Sequence, residues 1–353
     1  MGLNQPAPAA GAAAPARPAA PGVSGSARPA VLAVDAGNSK TDAALIAADG
    51  TVLGCGRSGG FQPQRDGVEA AVDVLGQAVA QAAEAAGLPW PRPGVPYADQ
   101  VSACLANADF PVEEQQFARA IGSRGWGTAT QVRNDTFAVL RAGLDGPRGV
   151  AVVCGAGINC AGMLPDGRTA RFPAVGRISG DWGGGGFLGP EALWWAARAE
   201  DGRGGPTALA AALPGHFGLG SMAALIEALH LGTVAQGRIH ELVPVLFAVA
   251  AAGDPVASAI VERQADEVVA LAAVALTRLD LLEEEAPVLL GGGVLAAGHP
   301  QLIGRITAGL AERAPRARVS VVAAPPVLGA GLLGLDALGA AGGAREKLRA
   351  HFG

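Results

Sequence analysis

The sequence predicts an α/β fold of two domains facing one another across a cleft, and three observations carry that prediction. First, VLAVDAGNSKTDAALIAADGTVLG at 31–54 and VAVVCGAGINCAGMLPDGRTARF at 150–172 read as the same device. In each, an apolar run ends in a tight turn of small residues, a second run leads away, and an Asp-Gly reverses the chain into a third. Second, strand-like and helix-like runs alternate after each of these segments. Third, Gly143, Gly146 and Pro147 break the chain between the two halves. Ala36-Gly37 falls opposite Ala156-Gly157, so the fold reads as duplicated, and backbone N–H groups bared by glycine suit phosphate. That points to an enzyme that uses a nucleotide.

The elements follow in order. Strands are expected at 30–34, 41–47 and 51–55, then a helix at 67–87 with Val68, Val72, Leu75 and Val79 at helical spacing. A strand at 100–105, a helix at 112–122, the short strand TQVRN and the helical TFAVLRAG complete a first domain over 30–146. The second domain, 147–353, opens with the second hairpin set. A glycine-dense loop, GRISGDWGGGGFLG, then leads to the helix EALWWAARAE. Alanine-rich helices fill 207–285, followed by the strand APVLLGGG, a helix at 300–313 and the strand RVSVVAAPP. The closing VLGAGLLGLDALGAA reads as a small-residue helix able to pack tightly on a sheet, with the first domain's sheet as the expected partner.

Composition excludes several classes. The 353 residues carry a formal net charge of −5, and the two lysines, Lys40 and Lys347, leave arginine to supply nearly all positive charge. No basic stripe exists to neutralise a nucleic-acid backbone. Cys55, Cys104, Cys154 and Cys160 show no C-x-x-C spacing, which fits a reducing compartment. His216, His230, His240, His299 and His351 are scattered, without an i,i+4 pair that would suggest zinc. Residues 1–29 are almost entirely Ala, Pro, Gly and Ser, the composition of a mobile tail rather than a secretory signal. Nothing reads as a membrane span, and a cytoplasmic location is expected.

Four places could carry chemistry. Asp35 is followed by Ala36-Gly37-Asn38-Ser39-Lys40-Thr41, which combines close backbone approach, a hydroxyl and an ammonium for phosphates, and a carboxylate to hold magnesium. It is no Walker A loop, since G-x-x-x-x-G-K-[ST] is absent. Gly155-Ala156-Gly157-Ile158-Asn159 is its echo. In Asn134-Asp135-Thr136, Asp135 either caps a helix or, at a strand's carboxyl end, accepts a proton from a substrate hydroxyl. Asp181 is the one acid in the glycine loop and a candidate to bind a sugar hydroxyl. Gly291-Gly292-Gly293 lies between a strand and a helix, where bare backbone could cradle a dinucleotide or make room for an adenosine, though no acid ends the next strand.

In this order the motifs resemble the actin-like ATPase superfamily (a ribonuclease H-like fold), and within it the BadF/BadG/BcrA/BcrD-type group that includes N-acetylglucosamine kinases. DAGNSKTD is similar to that group's first phosphate motif and CGAGIN to its second. LANAD at 105–109 is similar to its Leu-Ala-Gly-Ala-Asp segment, which brings Asn107 to the substrate, and Asn134-Asp135 to its Asn-Asp, whose Asp is the catalytic base. VGRISGDWGGGGFLG resembles G-W-G-x-x-x-G-D-E-G-S-G-Y-W-I-G, with Asp181 at the sugar-binding Asp, and LLGGGVLAAG resembles the adenosine motif. Trp182 stands where the group usually has Glu, Gly184 where it has Ser, and Gln62 where a sugar-contacting Asn is expected.

The resemblance implies an ATP- and Mg²⁺-dependent kinase, a homodimer, acting on N-acetylglucosamine or a related amino sugar at its 6-hydroxyl. Asp135 would act as base and Asp35 would hold magnesium. Alternatives are a glucosamine or other hexose kinase, a non-catalytic sugar or nucleotide sensor, and the group's ATPase activators of 2-hydroxyacyl-CoA dehydratases. The last need cysteines in a Lys-Cys-Ala-Ala-Gly-Thr-Gly setting that is absent here.

Overall fold

The apolar runs VLAVDA and TDAALI are buried at every position, as strands covered on both faces must be. In the computed structural model, which describes residues 29–89 and 95–353, they become β1 (Val31–Ala36) and β2 (Thr41–Ile46), the centre of a sheet. β3 (Val52–Ser58) pairs antiparallel with β2. After α1 (Pro63–Asp66) and α2 (Val68–Ala85), β4 (Ala98–Leu105) pairs parallel with β1. After α3 (Pro111–Gly122), β5 (Gly127–Asn134) closes the order β3-β2-β1-β4-β5, and α4 (Thr136–Gly143) follows.

The second half repeats this plan. β6 (Gly149–Cys154), β7 (Ile158–Met163) and the three-residue β8 (Thr169–Arg171) form the meander. The helices α5 (Gly185–Glu200), α6 (Leu209–His216), α7 (Met222–His230), α8 (Leu242–Ala251) and α9 (Pro255–Arg278) intervene. β9 (Ala286–Gly291), α10 (Gly293–Ala296), α11 (Pro300–Arg313) and β10 (Ala317–Val321) then complete the order β10-β9-β6-β7-β8, so each sheet has the same sequence of parallel and antiparallel neighbours. α12 (Pro326–Ala337) and α13 (Gly342–Phe352) end the chain.

Two helices are exchanged between the halves. α4 packs on β6, β7 and β9 of the second sheet, α12 packs on β1, β2 and β4 of the first, and the two pack on each other. Their residues share one core with Val31, Ala33, Ile46, Ala151, Ala161 and Leu289. Small residues permit the close approach: a Cβ on Gly329 would lie 1.8 Å from the Ala138 carbonyl oxygen. An ion pair ties the same helices, with Arg141 Nε of α4 2.7 Å from Asp336 of α12. Arg345 of α13 meets the same carboxylate at 2.7 Å.

The structure refines two sequence expectations. Asp35 lies inside β1 rather than at its end, because pairing with Cys104 of β4 and Asp42 of β2 continues through it to Ala36. The glycine run also proves partly helical: α5 starts at Gly185, its first N–H groups held from outside the helix, as described below. The expected tail over 1–29 lies, except for Pro29, outside the described residues. Among the described residues no single helix is long and apolar enough to cross a membrane.

Gly329→Ala must force α4 and α12 apart, and should cost about 1–3 kcal/mol of unfolding free energy, as overpacking does. Gly342→Ala, with nothing within 4 Å of the added carbon, should stay within about 0.5 kcal/mol of the parent. Denaturant titration of the two variants checks both values.

Candidate active site

The first hairpin turn is closed by Gly37, whose N–H donates to the Lys40 carbonyl at 2.9 Å while its own carbonyl accepts from Phe61 N–H at 2.9 Å. Asn38 is held from two sides. Gln62 Nε2 donates to its carbonyl at 2.7 Å, and Asn107 Nδ2 donates to its Oδ1 at 3.0 Å and to the Phe61 carbonyl at 3.1 Å. Asn107 itself stands at φ 62°, a left-handed conformation that asparagine tolerates better than most residues. Ser39 and Lys40 are exposed, and Lys40 Nζ lies 3.2 Å from Asp42. Thr41 is buried, its hydroxyl donating to the Gly59 carbonyl at 2.9 Å.

The second hairpin turn is braced from behind by the glycine run. Gly185 N–H donates to the Gly155 carbonyl at 2.8 Å, and Gly186 N–H donates to the Ala156 carbonyl at 2.8 Å. In a trans peptide the C=O and the following N–H point in opposite directions. With the carbonyls of 155 and 156 turned towards α5, the N–H groups of Ala156 and Gly157 point away from it. Both residues are exposed. Gly292 packs at the base of this turn: at φ 80°, its Cβ would fall 2.4 Å from the Cys154 carbonyl oxygen. Gly291 lies under Val139, whereas nothing occupies the space beside Gly293.

Between the turns, Asn134 joins the two halves. Its Nδ2 donates to Asp109 at 2.9 Å, and its Oδ1 accepts from Thr136 N–H at 3.0 Å and from Asn159 Nδ2 of β7 at 3.1 Å. Asn134 thus supplies the cap that α4 needs. Asp135 occupies the N-cap position, yet its side chain makes no capping bond. Nearby, Arg171 of β8 reaches across to Glu114 of α3 at 2.8 Å and donates to the Ala108 carbonyl at 3.3 Å.

A cavity of about 180 Å³ gathers these parts: Asn38 from the first turn, Gly155 to Asn159 from the second, and Asn107, Asp109, Asn134 and Asp135 between them. A larger cavity, about 560 Å³, opens beside Arg141 and Asp336 and contains none of these residues. Convergent polar groups, rather than volume, mark the smaller one as the site. Gln62 braces the first turn without lining the cavity. Asp181 also stands outside the lining, accepting a hydrogen bond from Ser179, although its charge is felt by Asp109.

The site is rich in uncompensated negative charge. Burial pushes the Asp35 carboxyl well above the usual carboxylate range, and the nearby charges of Asp135 and Asp42 add to the shift. Burial raises Asp135 to about 6 and Asp109 to about 7, the latter with help from Glu113, Asp135 and Asp181 against Arg171. Among the described residues Asp35 forms no ion pair, and no three His, Cys, Asp or Glu side chains form a cage for a metal. The carboxylates fit Mg²⁺, which is usually held by one or two carboxylates with phosphate oxygens and water completing its shell. Asp135, which lines the cavity, and Asp35, buried outside its lining, would hold it.

Of the polar lining residues, the sequence left out Thr136 and Asp109. The only signal for Asp109 was its place at the end of LANAD, just before a helix with Pro at its start, where Asp reads as an ordinary turn residue.

Comparison with known proteins supplies the family. A sequence model of the BadF/BadG/BcrA/BcrD ATPase family matches residues 32–334. The chain is 28% identical over 190 residues to the N-acetylmuramic acid/N-acetylglucosamine kinase of Clostridium acetobutylicum, covering 54% of this chain and 62% of that protein. It is 28% identical over 209 residues to the N-acetyl-D-glucosamine kinase of Dictyostelium discoideum, covering 58% and 65%. Both matches thus span less than two thirds of the curated relative's own length. Among solved structures, a proposed N-acetylglucosamine kinase from Chromobacterium violaceum superposes with a TM-score of 0.67 at 24% identity, over 88% of this chain and 99% of that one. The chain therefore shares the fold of that structure.

Between pH 4 and 7 folded Asp109 keeps a proton that the unfolded chain has lost, so its contribution to stability declines as pH rises through about 7. Asp109→Asn removes the buried charge and retains an acceptor for Asn134. The variant should melt about 2–4 °C above the parent at pH 8, after allowance for partial exposure, with the difference vanishing towards pH 4. Calorimetric scans at the two pH values test this.

Proposed function

The chain belongs to the BadF/BadG/BcrA/BcrD ATPase family, and from that premise we propose that it is an ATP-dependent kinase of N-acetylglucosamine or a closely related amino sugar, acting at the 6-hydroxyl. The observation that carries this reading is the shared cavity lined by Asn38 of one glycine turn and Gly155 to Asn159 of the other. A triphosphate lying between them would meet backbone N–H groups of Ala156 and Gly157 on one side and the Gly37 to Lys40 turn on the other. The open space beside Gly293 suits the nucleoside.

Phosphoryl transfer needs little covalent chemistry from the protein. The sugar hydroxyl oxygen attacks the γ-phosphorus, the bond to the β-phosphate oxygen breaks, ADP leaves, and the hydroxyl proton passes to a carboxylate. The sequence assigned that proton to Asp135. What favours Asp109 instead is its neighbourhood. It is held by Asn134 Nδ2, it feels Asp181 of the sugar-loop candidate, and its value of about 7 suits a base working near neutrality. Asp135 is coupled to Asp35, at the phosphate end. Mg²⁺, when bound, would neutralise charge developing on the phosphate oxygens. Closure of the halves would keep water from competing with the sugar.

The dehydratase-activator alternative finds no support: Cys104, Cys154 and Cys160 are buried and none lines the cavity. An ADP-release assay over N-acetylglucosamine, glucosamine, N-acetylmuramic acid and glucose separates a kinase from a sensor, which would release none with any sugar. With the preferred sugar, kcat/KM should fall about tenfold per unit below pH 7, and a profile flat to pH 5.5 would contradict a base at Asp109. Asp109→Asn should lower kcat by a factor on the order of 10²–10⁴ with nucleotide affinity retained. Asp135→Asn should weaken Mg²⁺-nucleotide binding, and the reverse pattern would return the base to Asp135.

A further inference from the structure

The inner side of α9 is apolar, with Ala257, Ile260, Val261, Ala265 and Val268 all buried, yet Gln264 in its midst is fully buried too. A carboxamide is costly to bury unless both of its ends find partners, and both do. Its Oε1 accepts Gly184 N–H at 2.8 Å, and its Nε2 donates to Cys154 Sγ at 3.6 Å. A thiol is a weak acceptor, so the bond that matters most is the one from the buried Gly184 N–H, a backbone donor that would be left without a partner if the carboxamide were removed. Satisfying that donor is one reason for a glutamine here.

Its partners supply another reason. Cys154 is the residue before the second turn, and Gly184 precedes the two glycines whose N–H groups hold the Gly155 and Ala156 carbonyls. The Gly184 backbone lies between the amide and the turn: at φ 77°, its Cβ would fall 2.4 Å from the Gly157 carbonyl oxygen. Gly183 is in contact as well, since a Cβ there would come within 2.8 Å of the carboxamide. The adjacent Arg263 lays its guanidinium 4.0 Å above the Trp182 ring, pinning the start of the same run. The geometry points to Gln264 as the positioning residue of the second turn. Its carboxamide sets the glycine run, the run sets the carbonyls of 155 and 156, and these aim the N–H groups of Ala156 and Gly157 at the nucleotide phosphates. The last link rests on the kinase reading above, whereas the first two do not.

Gln264→Met keeps the side-chain length and removes both bonds. In the full-length chain, hydrogen exchange of peptides covering 182–189 and 150–160 should accelerate about tenfold. ATP affinity by calorimetry should fall about tenfold, the scale of one lost hydrogen bond. The KM for ATP should rise to match, while the KM for the sugar stays within about twofold. Gln264→Glu keeps an acceptor for Gly184 and should recover most of the affinity. If Gln264→Met does not fold, Gln264→Leu is measured in the same way. Unchanged exchange, or equal rises in both KM values, would overturn the proposal. Faster exchange with unaltered ATP affinity would overturn its last link. A parent protein that binds ATP but phosphorylates no sugar would defeat the kinase reading alone, leaving exchange and affinity to judge Gln264.

Discussion

The structure depends on the exchange of α4 and α12 between the two sheets. Each sheet has one face covered chiefly by the other half's helix, so the core between the sheets belongs to both halves. The contact works because small residues line it, Gly329 lying directly against the Ala138 carbonyl, and because Arg141 and Asp336 are paired where Arg141 is almost wholly buried. Removing Asp336 would strand the buried Arg141 charge, which costs far more than the pair contributes, whereas Asp336 without Arg141 would keep Arg345. The same exchange fixes the active cleft. α4 starts at Thr136, immediately after Asn134 and Asp135, so the helix that joins the halves also carries the polar groups at the cleft's centre.

The charges follow from this arrangement. Asp35, Asp135 and Asp109 converge from β1, the start of α4 and the turn after β4; burial raises all three, and the charge of Asp135 adds to the shifts of Asp35 and Asp109. A site that holds so many uncompensated carboxylates is destabilised at neutral pH, a common cost of function. In the proposed reaction Asp35 and Asp135 would serve the cation and phosphates, while Asp109, which feels Asp135, Arg171 and Asp181, would meet the sugar hydroxyl.

Much of this was legible in the chain. The paired hairpins could be read because Asp-Gly turns and small-residue bends are local signals with local causes. The closing small-residue helix could be read because packing against a sheet demands the glycines it carries. What could not be read depends on distant partners. Asp109 looked like an ordinary turn residue because the Asn134 amide that holds it comes from another strand. The glycine run looked too flexible for a helix because Gly155 and Ala156, which order its first turn, lie about thirty residues earlier. Gln62, expected at the sugar, donates to the Asn38 carbonyl and lies outside the cavity lining, a contact no local pattern announces.

The central claim is that both glycine turns grip the phosphates of one nucleotide. Backbone amide chemical shifts of the labelled protein, recorded as magnesium and a non-hydrolysable ATP analogue are added, test it most directly. The account predicts that Gly37 and Asn38 of the first turn and Ala156 and Gly157 of the second shift together, saturating at one nucleotide per chain. Shifts confined to one turn, or two sets that saturate at different concentrations, would contradict it.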